Sequence, residues 1–219
     1  MRIVLLAAMM AMVPAVCFGQ NPGGVDLTAV ARESAAAARQ SLPTLAELAK
    51  GDNAARMGFA APGDAERSEL AAPLSDFIVR LDDLQTWQPS TDPMGLLRPT
   101  GLVVYPVTTG GAVRSSVTLK KQDSAWQAVA FGAPAQSQAV AGARASVADK
   151  AKVPDARTFQ VRIPAFNLVF VGYVDGGRLM LTPVVDTQRY GLSAGVAVAA
   201  DQVFARVKPD AERDPGLPR

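Results

Sequence analysis

The sequence predicts an α+β protein: an antiparallel sheet of about five to seven strands, packed with N-terminal helices and closed by a short C-terminal helix. Three observations carry this. A hairpin is written twice, as Leu102-Val103-Val104-Tyr105 with Gly110-Gly111 and then as Leu168-Val169-Phe170-Val171 with Asp175-Gly176-Gly177. In both, a β-branched run meets a turn that tolerates positive φ and a second extended run follows. Phe159-Gln160-Val161-Arg162-Ile163 alternates strictly between apolar and polar, the period of a strand. Apolar residues at helical spacing are concentrated in the first third and near the C-terminus.

The 219 residues are 49% hydrophobic and 19% charged, enough apolar material for a core and too little charge for a disordered chain. A formal charge of +2 lacks the basic surplus that nucleic-acid binders carry, so no nucleic-acid partner is expected. Residues 1–19 read as a signal peptide. Arg2 supplies the positive start, Ile3 to Val13 is uncharged, Pro14 breaks the run, and Cys17 and Gly19 occupy the −3 and −1 positions of a cleavage site before Gln20. About 16 apolar residues precede Gln20, short of the roughly 20 that a spanning helix needs. Attachment to a membrane is expected only if Cys17 is lipidated, and Val16 and Pro14 are poorly suited to that processing. The expected address is therefore periplasmic or secreted.

Residues 20–88 are expected to form a helical region. Gln20 to Gly24 is a loose lead-in, and Asp26 is an N-cap for a helix with Leu27, Val30, Ala31, Ala35, Ala38 and Leu42 on one face. Pro43 ends or kinks it, and Thr44 to Lys50 add two turns. The alanine stripe fits either against the chain's own sheet or along a partner helix. Residues 51–64 read as a loop. Leu70, Leu74, Phe77, Ile78, Leu81 and Leu84 fit a second amphipathic helix begun at Pro73, with Asp76, Arg80, Asp82 and Asp83 off its stripe. Residues 89–100 hold Pro89, Pro93 and Pro99 and read as a linker to a β-rich domain of residues 101–207.

In that domain Val113, Ser115, Val117 and Leu119 alternate with Arg114, Ser116, Thr118 and Lys120, Ser124 to Phe131 forms a strand anchored by Trp126, and residues 135–150 form a weakly patterned helix. Residues 190–198 are ambiguous. Val203, Phe204 and Val207 mark a helix over residues 200–207. Residues 208–219 carry Pro209, Pro215 and Pro218 and are expected to be a disordered tail. A shift of 66 residues superposes the two hairpins. Internal duplication and independent convergence of two glycine-turn hairpins both account for it.

The mature chain has no histidine, and its only cysteine lies in the signal region. That removes the usual base near neutral pH, the commonest metal ligand and thiol chemistry. Gly191-Leu192-Ser193-Ala194-Gly195 matches the G-x-S-x-G elbow, but no histidine is present to take the serine proton. Asp82 and Asp83 are adjacent on an expected helix and point apart. No catalytic, metal-binding or cofactor-binding residue is assigned and no cofactor is expected. The expected role is non-catalytic binding or assembly in a bacterial envelope, as an accessory or chaperone-like part of an export or conjugation apparatus, with another envelope protein as partner. The alternatives are a small-ligand carrier and an atypical hydrolase using carboxylates or a Ser-Lys pair. Candidate binding residues are Arg114, Arg162 and Arg178 on polar strand positions, Tyr173 near Arg178 across the second turn, and Trp87 beside the proline-rich stretch; an ordinary wet sheet face and a core anchor are the alternatives. Intact mass spectrometry of the exported protein is expected to give a chain starting at Gln20. A chain starting at Cys17 and carrying acyl groups would identify the lipoprotein instead.

Overall fold

The computed structural model describes residues 22–214, so the signal-peptide residues 1–19 lie outside the described residues. Helix α1 (Leu27–Leu48) begins at Asp26, whose side chain accepts from the amides of Thr28 and Ala29. It runs through Pro43 without interruption, and a short helix α2 (Asn53–Arg56) follows. Next come β1 (Glu69–Leu70), β2 (Leu74–Ile78), α3 (Leu81–Thr86), β3 (Arg98–Thr109), β4 (Ala112–Gln122), β5 (Ala125–Phe131) and α4 (Pro134–Lys150). The chain continues as β6 (Phe159–Ile163), β7 (Leu168–Asp175), β8 (Arg178–Pro183), β9 (Val198–Ala199) and α5 (Ala200–Arg213).

The strands form one nine-stranded sheet in the order β5-β4-β3-β2-β6-β7-β8-β9, with β1 also on β3. All pairs are antiparallel except β2 with β6, which run parallel at the centre. Two four-strand meanders thus start side by side and run outwards, and each is followed by a helix. The hairpin turns Gly110-Gly111 and Gly176-Gly177, all at positive φ, and the helix starts Pro134 and Ala200 are separated by the same 66 residues. The halves diverge between hairpin and helix, where β5 has only the two-residue β9 as counterpart.

Opposed residues of neighbouring strands share a face. Phe77, Val161 and Phe170 stand in one row across β2, β6 and β7, in a core that includes Val203, Phe204 and Val207 of α5. On the same face α1 covers the other half, packing Ala38 and Leu45 on Val103, Tyr105, Val117 and Leu119. The alanine stripe therefore meets the chain's own sheet, and its small side chains bring the helix close. Ser34, fully buried on α1, shares a 2.8 Å hydrogen bond with the Tyr105 hydroxyl. On the opposite face α4 lies over Leu74, Val171 and Tyr173 through Val140, Ala143 and Val147.

Several expectations are corrected. Among the described residues the sheet has nine strands, because the two-residue β1 and β9 join it and the expected second amphipathic helix of residues 70–84 holds β2 and only the short α3. Leu74 and Phe77 do fit a helical stripe, but β2 is covered on both faces, so a strand buries Leu74 under α4 and Phe77 under α5. Tertiary burial overrides the local period. Pro73 sits just before the strand, where no ladder amide is needed. The expected helical region 20–88 is therefore not wholly helical. Within the expected linker 89–100, Met94, Leu96 and Leu97 are buried in the core that α5 covers, and β3 already begins at Arg98. The lead-in is ordered from Pro22, which is buried in a 3-10 turn. The expected disordered tail from residue 208 is helical to Arg213. Lys208 Nζ donates to the Gln85 and Trp87 carbonyls, Asp210 accepts from the Tyr190 hydroxyl at 2.8 Å, and Ala211 is fully buried. These contacts hold the helix past Pro209.

One buried cation ties the layers together. Arg144, on α4 and 4% exposed, donates from Nε to Thr158 Oγ1 and from its terminal nitrogens to the carbonyls of Ala72, Pro73 and Asp155. Burial pulls this guanidinium below its ordinary pKa, and the Asp155 carboxylate at 3.5 Å opposes the shift. Ala72-Pro73 leads into β2 and residues 155–158 lead into β6, so a single side chain clamps the entrances of both central strands. Arg144→Met is expected to cost about 2–4 kcal/mol by urea denaturation, because buried acceptors lose a charged donor. A loss below about 1 kcal/mol would show the clamp to be dispensable.

Candidate functional site

The parallel pair at the sheet centre places a carboxylate where the sequence pattern implied a solvated helix face. Asp76 on β2 is 2% exposed and lies opposite Gln160 of β6. Its Oδ1 accepts from Gln160 Nε2 at 2.8 Å and from Arg162 Nε at 2.8 Å. Its Oδ2 accepts from Thr100 Oγ1 at 2.9 Å and from Arg162 Nη2. Four donors saturate the carboxylate, as a buried charge requires. The pairing holds the Arg162 guanidinium above its ordinary pKa, against the opposing effect of burial. This pair forms the polar floor of a cavity of about 180 Å³ between the sheet and the first turn of α4. Leu74, Leu102, Val104 and Val140 supply apolar wall.

A second feature lies at the sheet edge. Strand β5 reads Ala-Trp-Gln-Ala-Val-Ala-Phe, has no charged residue, and among the described residues is paired only on its β4 side. Val129 is 46% exposed, standing where the register between β4 and β5 shifts at Thr118/Leu119. A bulge of this kind twists an edge and limits open-ended strand addition. Trp126, with Ala128 and Phe131, forms a groove with Ala37, Ser41 and Thr44 of α1. Its rim is tied by Lys121 Nζ, 2.8 Å from Glu33 Oε2 and 5.8 Å from the Trp126 ring centroid. Lys121 holds Glu33 below the usual carboxylate range, chiefly by its hydrogen bond.

The candidate residues do not form one patch. Arg162 is committed to Asp76. Tyr173 is 3% exposed beneath α4, and Trp87 is 3% exposed, edge-to-face with Phe204 at 5.7 Å. The Trp87 indole donates to the Thr91 carbonyl at 3.3 Å, so this residue anchors α5 and presents no surface. Arg178 is exposed, 3.8 Å from Asp201. Arg114 is half-buried where β4 carries an extra residue against β3, three strand positions from β6, or roughly 14 Å at the ordinary spacing.

The G-x-S-x-G segment is not a strand-to-helix elbow. Ser193 is exposed, and the chain passes from this turn to β9. A Cβ on Gly195 would stand 2.7 Å from Ser146 Oγ of α4, so glycine here lets the turn dock. Asp82 pairs with Arg80 and Asp83 with Arg98. Among the described residues no group of three or more acidic, histidine or cysteine side chains could hold a metal ion, and no helix is long and apolar enough to cross a membrane.

Comparison with protein families, characterised proteins and solved structures finds no match for this chain.

Asp76 was missed from sequence because it falls off the apolar stripe of an expected helix, and Arg144 because its helix is too weakly patterned to single out one buried position. The available signal was Gln160 and Arg162 alternating on a strand next to an apolar central one: if both faces are covered, such residues need a buried partner. Asp76→Asn is expected to cost about 2–4 kcal/mol in urea unfolding, since it leaves a half-buried guanidinium without its counter-ion. The double change Asp76→Leu with Arg162→Met is expected to recover part of that loss, which a double-mutant cycle measures.

Proposed function

We propose that this protein acts in the cell envelope as a non-catalytic binding protein, and that the β5 edge with its flanking α1 groove receives a strand of another envelope protein. The observation that carries this reading is the unpaired outer side of β5, seven residues without a charge. An edge of that kind is a template for one further strand, main-chain hydrogen bonds giving affinity and side-chain pockets giving selectivity. The two ends of the sheet are unequal. Strand β9 has only two residues and leads directly into α5, which leaves little backbone to pair. The bulge at Val129 favours a single incoming strand over repeated stacking. The aromatic and alanine side chains of the α1 groove suit an apolar side chain from that strand. The signal-like N-terminus supports the envelope address, and the lack of histidine supports binding over catalysis.

The test is a charge placed on the edge. Val129→Lys is expected to leave unfolding stability within about 0.5 kcal/mol, because the site is exposed. Recovery of the envelope partner that co-purifies with the tagged wild-type protein should fall at least roughly tenfold, the size expected from losing a few main-chain hydrogen bonds. Undiminished recovery by a folded Val129→Lys protein would remove β5 as the docking edge.

A further inference from the structure

The cavity under α4 carries an inference independent of the sheet edge. Its floor is the Asp76–Arg162 pair, in which the carboxylate is saturated and the two charges offset one another. Two groups there remain uncommitted. Arg162 uses Nε and Nη2 on Asp76, and among the described residues its Nη1 has no partner. Gln160 is 4% exposed and lines the cavity; its Nε2 is given to Asp76, and among the described residues its Oε1 has no partner.

The first turn of α4 stands at the mouth. Ala133 at its start is left-handed and supplies no side-chain cap, Pro134 follows, and Ser137 N already bonds Ala133 O. The amides of Ala135 and Gln136 are therefore open, and the helix end contributes a partial positive charge with no acidic residue in its first turn. No acidic residue other than the neutralised Asp76 lines the space. A volume of about 180 Å³ holds roughly seven non-hydrogen atoms, given that a dry cavity near 150 Å³ accepts benzene, and a slightly larger ligand extends its carboxylate into the mouth. The walls of Leu74, Leu102, Val104 and Val140 suit an apolar body.

We propose that this cavity binds a small monocarboxylic acid with an apolar body and a hydroxyl or amino group. Its carboxylate faces Arg162 Nη1 and the open amides of α4, and its O–H or N–H donor meets Gln160 Oε1. Neutral amides of the same shape lose the charge-assisted contacts and bind less tightly.

The probes are benzoate, 4-hydroxybenzoate, leucine and 2-hydroxyisocaproate, each beside its amide, measured on the purified protein by calorimetry and thermal unfolding. At least one hydroxy or amino acid is expected to raise Tm by about 5 °C at a hundredfold excess over Kd, with its amide at least roughly tenfold weaker. Gln136→Glu puts a carboxylate at the helix start, where it favours the helix, so the fold and Tm are retained. It should weaken the acid at least about tenfold by like-charge repulsion and leave the amide unchanged. Val104→Trp fills the space and should abolish binding of both. The proposal is overturned if no acid in the panel shifts Tm, if amides bind as tightly as acids, or if Gln136→Glu binds the acid as wild type does.

Discussion

The parallel contact between β2 and β6 is the constraint on which the architecture rests. The two antiparallel meanders form one sheet here through the pairing of their first strands, which are far apart in sequence. Side chains secure the junction on both faces. Phe77 and Phe159 meet edge-to-face at 5.3 Å on the α5 side, and Asp76 takes hydrogen bonds from Gln160 and Arg162 on the α4 side. Arg144 then fastens the chain entering each strand to α4. A charged network at such a place adds less to stability than apolar packing of equal volume would, but it penalises any register in which its members are unpaired. A slip of β2 by one residue would turn Asp76 towards Phe204 and Phe77 towards α4.

This arrangement also divides the surface of the molecule. Because β2 and β6 are parallel, the two halves are related by turning over as well as outwards, and their helices fall on opposite faces. Helix α4 crosses the junction and contacts β4, β7 and β8, which encloses the cavity beneath its first turn. Helix α5 lies over β8 and β9 and packs against α3 of the first half, and α1 covers the rest of that face. Strand β5, at the outer limit of the first half, keeps its free edge. The cavity on the α4 face and the groove beside β5 on the α1 face both follow from one topology.

What was legible in the sequence was local. The Gly-Gly hairpins, the alternation at Phe159–Ile163, the Asp26 cap and the alanine stripe of α1 each state their structure within a dozen residues, because turn chemistry and side-chain period act over that distance. The 66-residue repeat of the hairpins was legible too, and the helix starts extend it. Residues 74–78 were not legible as a strand. Leu74 and Phe77 satisfy a helical spacing by themselves, and only coverage of β2 from both sides selects the extended form. The place of Trp87 was not legible either, since a proline-rich neighbourhood resembles a boundary until Phe204 arrives from over a hundred residues later.

The sequence by itself removed imidazole chemistry, carried an export-like N-terminus and predicted an α+β chain with two similar hairpins, since these depend on residue identity and short-range periodicity. Which strands sit at the centre, which polar residues are buried as partners and which edge stays open were decided by the tertiary structure. Those outcomes depend on pairing between segments some 80 residues apart, as with Asp76 and Gln160. No local propensity encodes such a pairing. It becomes favourable only when helices close over both faces and every buried charge and amide has found its counterpart.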